Sequence, residues 1–232
     1  MPRILAIDTT ADVCSLALLS ADGLLTFHEP LPRQHARQVL PQLDRLMSEA
    51  GWSKRSIDFV VYGRGPGSFT GIRIAAGVAQ GIALGADCGV VPVSTLQTLA
   101  FECAAGDDKE IWTALDARMR ELYFARYRKN EDGVPELIGH EQLCIPMALP
   151  EPDPNAVLSG NGWLTDYDFS QAWQGRLASA SIDETLPNAG YGARLAERLV
   201  RDDDSLVLPP EQALPVYLRD KVTWDKKPKV GS

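Results

Sequence analysis

Residues 62–85 read YGRGPGSFTGIRIAAGVAQGIALG, seven glycines around one proline, with three of the glycines recurring at every fourth residue. Such a run invites comparison with a phosphate cradle. A P-loop requires GxxxxGK[ST], and no lysine stands between Arg55 and Cys103. A dinucleotide fingerprint requires GxGxxG, but Gly63-x-Gly65 is followed by Ser68 and Gly65-x-Gly67 by Thr70. Both templates fail. Read locally, residues 59–62 form a short apolar strand and residues 63–67 a glycine loop. Ser68 is a good N-cap for a helix from Phe69 to about Ala86. On that helix Gly77, Gly81 and Gly85 share one face, with Ile74, Val78 and Ile82 as the adjoining stripe. Each mid-helix glycine costs roughly 0.5–1 kcal/mol relative to alanine. Three together imply close approach of another backbone, either the protein's own sheet or a second chain. Arg73 and Gln80 interrupt an apolar stretch already short of the ~20 residues that a membrane span needs.

Working outward, residues 3–8, 13–19 and 24–28 read as three meandering strands. Residues 34–50 carry apolar side chains at 36, 39, 40, 43, 46, 47 and 50, a helical stripe closed by Gly51. Pro41 inside it predicts a kink or a restart. A strand follows at 89–93, and Ser94 with Gln97 forms a capping box opening a helix through Ala105. The order βββαβαβα describes an α/β chain with mixed sheets and flanking helices, the actin-like (ribonuclease H-like) ATPase fold. In the second half, residues 111–116 and 121–128 read as a hairpin turning at 117–120. Prolines 146, 150, 152 and 154 mark a loop, 157–160 a strand, and 188–200 a helix. Two sub-domains result: 1–104, carrying the helices of the glycine run, and a reduced 105–220. A basic tail, 221–232, holds Lys221, Lys226, Lys227 and Lys229 and reads as a solvated end.

With 45% hydrophobic residues among 232, the chain can bury a core, while its net charge of −8 argues against direct binding of nucleic acid. Any RNA role should therefore lean on a partner. MPRILAIDTT has no apolar stretch of signal-peptide type, which leads us to expect a cytoplasmic protein. Cys14, Cys88, Cys103 and Cys144 form no CxxC pair, so buried reduced thiols are expected and neither metal nor disulfide is assigned.

Few residues offer chemistry. Asp8 ends the first strand, where actin-like ATPases place the acidic residue of a DxG[ST] turn. Here the turn is Asp8-Thr9-Thr10-Ala11, without the glycine that lets a backbone approach phosphate, so Asp8 is either a metal and phosphate anchor or a cap of its own turn. Arg118, in the hairpin turn, could contact an anion or stand in solvent. His28, His35 and His140 share no zinc-binding spacing. His35, opening the first helix, reads as a surface or interface residue. Ser68 lies on a strand-to-helix turn but not in a GxSxG elbow.

At this point the chain resembles the bacterial TsaB (YeaZ) family over nearly its whole length. The resemblance rests on Ile4-Leu5-Ala6-Ile7-Asp8-Thr9, on His35 with Val39-Leu40-Pro41, and on residues 63–73, GRGPGSFTGIR. Further matches are Pro92-Val93-Ser94-Thr95-Leu96, Ala114-Leu115-Asp116-Ala117-Arg118 and the terminal Pro215-Val216-Tyr217-Leu218-Arg219. It implies a non-catalytic partner of TsaD, a paralogue of similar fold. With the ATPase TsaE, the pair would serve threonylcarbamoyl transfer to the tRNA adenosine beside the anticodon. TsaD-like proteins hold metal with an HxEGH helix, and that motif falls here on Thr95-Leu96-Gln97-Thr98-Leu99, without either histidine. The resemblance therefore implies no catalytic residue, cofactor or metal, and contact with tRNA only through the complex. It makes the two helices a docking face, with His35, Val39, Leu43, Met47, Ile74, Gly77, Val78 and Gly81 as interface candidates and a homodimer as the state of the chain alone. The alternatives are an actin-like ATPase or small-molecule kinase using Asp8 and the 63–68 loop, or a peptidase.

Overall fold

The structure is a computed structural model that describes residues 1–103, 109–183 and 185–219. Its first half is a five-stranded mixed sheet in the order β3-β2-β1-β4-β5. The strands are β1 (Ile4–Asp8), β2 (Val13–Ser20), β3 (Gly23–Pro30), β4 (Phe59–Gly65) and β5 (Gly89–Ser94). β1 pairs antiparallel with β2, Ile4 opposite Leu19, and parallel with β4, Ile4 opposite Phe59. Side chains alternate between the faces of a strand. Leu5 and Ile7 therefore pack with α1 (His35–Glu49) and α2 (Phe69–Ala86), while Ile4 and Ala6 pack with α5 (Ala189–Asp202). Every residue of β1 and β2 is buried, which explains their near-continuous apolar runs.

The order βββαβαβα and the helix over Phe69–Ala86 are both borne out. α1 is one continuous helix, so no restart occurs at Pro41. The proline lies on the exposed side, where its ring meets solvent, and the packed stripe Val39, Leu43, Leu46, Met47 keeps its register. α3 (Thr95–Glu102) ends before the expected Ala105, which lies outside the described residues. Its capping box is half-formed. Ser94 Oγ accepts from the Gln97 N–H at 3.3 Å, but the Gln97 side chain donates to Pro135 O at 3.0 Å instead of turning back.

The second sheet has the order β10-β9-β6-β7-β8. The expected hairpin is β6 (Glu110–Asp116) with β7 (Leu122–Lys129), and β9 (Val157–Ser159) runs parallel to β6. β8 (Pro135–Cys144), β10 (Ile182–Asp183) and α4 (Gln171–Ser179) were not anticipated. β8 is an edge strand with only Pro135 buried, and α4 buries only Trp173, so neither carries a full apolar period. One face of this sheet packs on α3 through Ile111, Leu115, Tyr123 and Tyr127. The other holds an aromatic core in which Trp163 and Trp173 stack at 4.9 Å. α5, from the second half of the chain, returns to the first sheet. The expected division at 104/105 and the basic tail lie outside the described residues.

Candidate functional site

The glycine loop joins β4 to α2 at the carboxyl edge of the first sheet, beside the turn that follows β1. Asp8 is 4% exposed, and Oδ1 accepts from Thr10 N at 2.8 Å and Thr10 Oγ1 at 2.6 Å. Burial pushes its carboxyl up from 3.8 to about 6, against the hydrogen bonds from Thr10 that lower it. Thr10 Oγ1 in turn accepts from Thr95 Oγ1 at 3.2 Å. The Ser68 N–H donates to Thr10 O at 2.7 Å, and Thr9 Oγ1 donates to Gly71 O at 2.7 Å. A Cβ on Gly67 would collide with the Thr10 carbonyl, and one on Gly71 with that of Thr9. The loop and first-turn glycines therefore accommodate the chain's own Thr9-Thr10 turn, and Asp8 caps that turn. The inner side of the loop is filled by protein.

Arg118 sits in the β6–β7 turn, where residues 118–120 all adopt positive φ of 55–61°. Its guanidinium bonds Asp116 Oδ2 at 3.0 Å and, across the two sheets, Asp12 Oδ2 at 2.8 Å. The anions that this arginine contacts in the structure are thus two of the chain's own carboxylates. A second polar link is half-buried, its carboxylate more deeply than its arginine. Arg64, at the end of β4, bonds Glu141 of β8 at 3.2 Å. Glu141 also accepts from Ser94 Oγ and, at 3.0 Å, from the Tyr127 hydroxyl. Sequence reasoning missed this link, because Arg64 and Glu141 stand 77 residues apart with no motif around the glutamate.

The terminal segment straps the same edge. Leu208 bridges to Val90 of β5, the Tyr62 hydroxyl donates to Leu214 O at 3.2 Å, and Val216 N donates to Arg64 O at 2.8 Å. A Cβ on Gly65 would stand 3.0 Å from Val216 O. Arg219 bonds Glu121 and donates to Ala117 O at 3.1 Å, so the strap reaches the hairpin turn of the second sheet. Tyr217 lies 5.9 Å from the Phe69 ring at the start of α2.

α2 packs on the sheet through small residues, with Ala75, Ala79 and Ala83 fully buried. Gly77, Gly81 and Gly85 are exposed, and a Cβ on any of them would meet nothing within 4 Å. The protein's own sheet is therefore not what these three glycines accommodate. By length and hydropathy α2 resembles a membrane span, but its alanine face is that of a core helix. His35, Val39, Leu43 and Met47 are likewise buried, and Ile74 and Val78 are half-buried against the same core. These six candidates present little surface. The exposed apolar groups are Leu40 on α1 and Phe69 and Leu84 on α2, at 55%, 52% and 63% exposure. His35 Nε2 is buried without a hydrogen-bond partner, and desolvation holds its imidazole below the usual value. Among the described residues, no three His, Cys, Asp or Glu side chains group as a metal site would require.

Residues 29–181 match the family model described as TsaD, tRNA N6-adenosine threonylcarbamoyltransferase. The chain is 37% identical to the tRNA threonylcarbamoyladenosine biosynthesis protein TsaB of Escherichia coli K12, over 97% of this chain and 98% of that protein. The protein of the same name from Haemophilus influenzae is 36% identical, over 97% of each chain. Among solved structures, a Pseudomonas aeruginosa protein described as similar to the peptidase YeaZ superposes with a TM-score of 0.81 at 35% identity. It covers 94% of this chain and 100% of its own. YeaZ from Pseudomonas aeruginosa superposes with a TM-score of 0.79 at 34% identity and the same coverage.

Proposed function

The chain belongs to the TsaB (YeaZ) family, and from that premise we propose that it serves tRNA threonylcarbamoyladenosine biosynthesis as a non-catalytic, cytoplasmic subunit. In this reading it docks a TsaD-like paralogue through α1 and α2 and works with a TsaE-like ATPase. tRNA is met only within that complex, and the same face makes a homodimer when the chain is alone.

The observation that carries the proposal is the exposed glycine row of α2. Gly77, Gly81 and Gly85 each sacrifice helix stability with no neighbour of their own to accommodate. A notch of that kind lets a second helix approach closely. The filled inner side of the glycine loop supports the non-catalytic half, as do Thr95 and Leu99 where the resemblance places metal-binding histidines.

The test is reconstitution of tRNA modification from TsaD-like and TsaE-like chains, with and without this one. Activity requires it on this reading, and a Gly81→Phe variant that folds normally should fail to co-purify with the TsaD-like chain. Modification that proceeds equally well without this chain refutes the proposal. The competing reading, an ATPase or kinase using Asp8 and the 63–68 loop, requires ATP–magnesium binding that Asp8→Ala abolishes. Calorimetry on the isolated chain distinguishes the two.

A further inference from the structure

We propose that Arg73 anchors the docking face and that the partner chain presents a carboxylate to it. The proposal rests on the reading of this face as an interface with a TsaD-like chain, and specifies the chemistry that the partner must bring.

Arg73 is exposed on α2, one turn after Phe69 and one turn before Gly77, in line with the glycine row. Its guanidinium carbon lies 3.4 Å from the Phe69 ring centroid and 4.8 Å from that of Tyr217. The two rings come from distant parts of the chain, the start of α2 and the terminal strap. Held between them, the side chain loses little freedom when a partner arrives. A guanidinium has five N–H donors. One is used, by Nη1 donating to Phe69 O at 3.1 Å, and the others find no acceptor among the described residues. No carboxylate of the described residues comes within ion-pair distance of it. The other arginines along this edge behave differently. Arg64 bonds Glu141, Arg118 bonds Asp12 and Asp116, Arg120 bonds Asp168, and Arg219 bonds Glu121.

Arg3, Arg45 and Arg198 also lie over a ring without a carboxylate, but each over one ring at 5.1–5.6 Å, whereas Arg73 contacts two rings and at 3.4 Å comes closer than any of them. The two side chains that it touches, Phe69 and Tyr217, are apolar rings and themselves exposed. That setting suits a protein side chain better than a phosphate backbone. The planar fork of donors fits a carboxylate bidentately. Arginine and tyrosine at the centre of an interface are also where binding energy concentrates.

The test measures the dissociation constant between the full-length chain and the TsaD-like chain of the same organism, at low and at high salt. Arg73→Ala should weaken binding by about thirtyfold or more and remove much of its salt dependence. Arg73→Lys should keep part of the salt dependence without restoring affinity. Arg194→Ala, on α5 and the opposite side of the sheet, should change nothing. Circular dichroism melts of each variant confirm that the fold is retained, since Arg73 covers only the surface. Binding by Arg73→Ala within threefold of the parent overturns the anchor. Weakened binding with undiminished salt dependence overturns the carboxylate. Failure of the unmodified chain to bind overturns both the interface reading and the anchor, and is thereby told apart from a variant-specific result.

Discussion

At the scale of single residues, glycines close in sequence do opposite things. Gly71 faces the Thr9 carbonyl so closely that a Cβ collides with it, whereas Gly77 faces open space. Gly77→Ala should therefore stabilise the isolated chain by roughly 0.5–1 kcal/mol, the helix-propensity difference, a rise of up to about 4 °C in melting temperature. Gly71→Ala should destabilise it by several kcal/mol, because the obstructing atom is backbone and cannot swing away. Calorimetric melts of the two variants check both signs. Asp8 adds a pH dependence. Its carboxyl is raised from 3.8 to about 6, so the fold prefers it neutral. Its contribution to stability is full below about pH 4 and is lost as pH rises through about 6, amounting to about 3 kcal/mol. Asp8→Asn keeps an acceptor for Thr10 and removes the charge. Its stability relative to the parent should rise between pH 4.5 and 7.5 in urea titrations, and a constant difference would show that Asp8 titrates like a free carboxylate.

At the scale of elements, two ion pairs join the sheets and differ in burial. The Arg118 side chain is 69% exposed and that of Glu141 only 7%. Exposed pairs contribute about 0–1 kcal/mol, so Arg118→Ala should change unfolding free energy by less than about 1 kcal/mol. Glu141→Leu strands the Ser94 and Tyr127 hydroxyls and the Arg64 guanidinium together. It should cost about 2–4 kcal/mol, toward the lower end for a partly solvated arginine. Chemical denaturation of both variants tests the contrast. The elements also show what was legible. α2, α5 and the β6–β7 hairpin were readable because their periodicity is strong and local caps and turns punctuate them. β8 and α4 were not, since β8 is an edge strand with one buried residue and α4 holds on through Trp173 alone. The interface candidates were legible as an apolar stripe, but a stripe does not say which side of it meets solvent. Val39 and Leu43 proved to be core, and Leu40 and Leu84 surface.

At the scale of the molecule, charge and shape bound what the chain can do alone. With a net charge of −8, the isolated protein should bind tRNA no more tightly than the ~10⁻⁴ M end of non-specific affinities at physiological salt, and filter binding measures this directly. Saturable micromolar binding by the chain alone would overturn the view that it reaches tRNA only through partners. Sequence by itself determined the mixed-sheet fold, the failure of phosphate templates and the lack of metal-ligand spacing, because these depend on residue types within a few positions of one another. It could not decide what the glycines face, what occupies Arg118, or that two rings hold Arg73. Those depend on contacts such as Thr10 with Ser68, Asp12 with Arg118, and Phe69 with Tyr217, and only the folded chain brings such distant residues together.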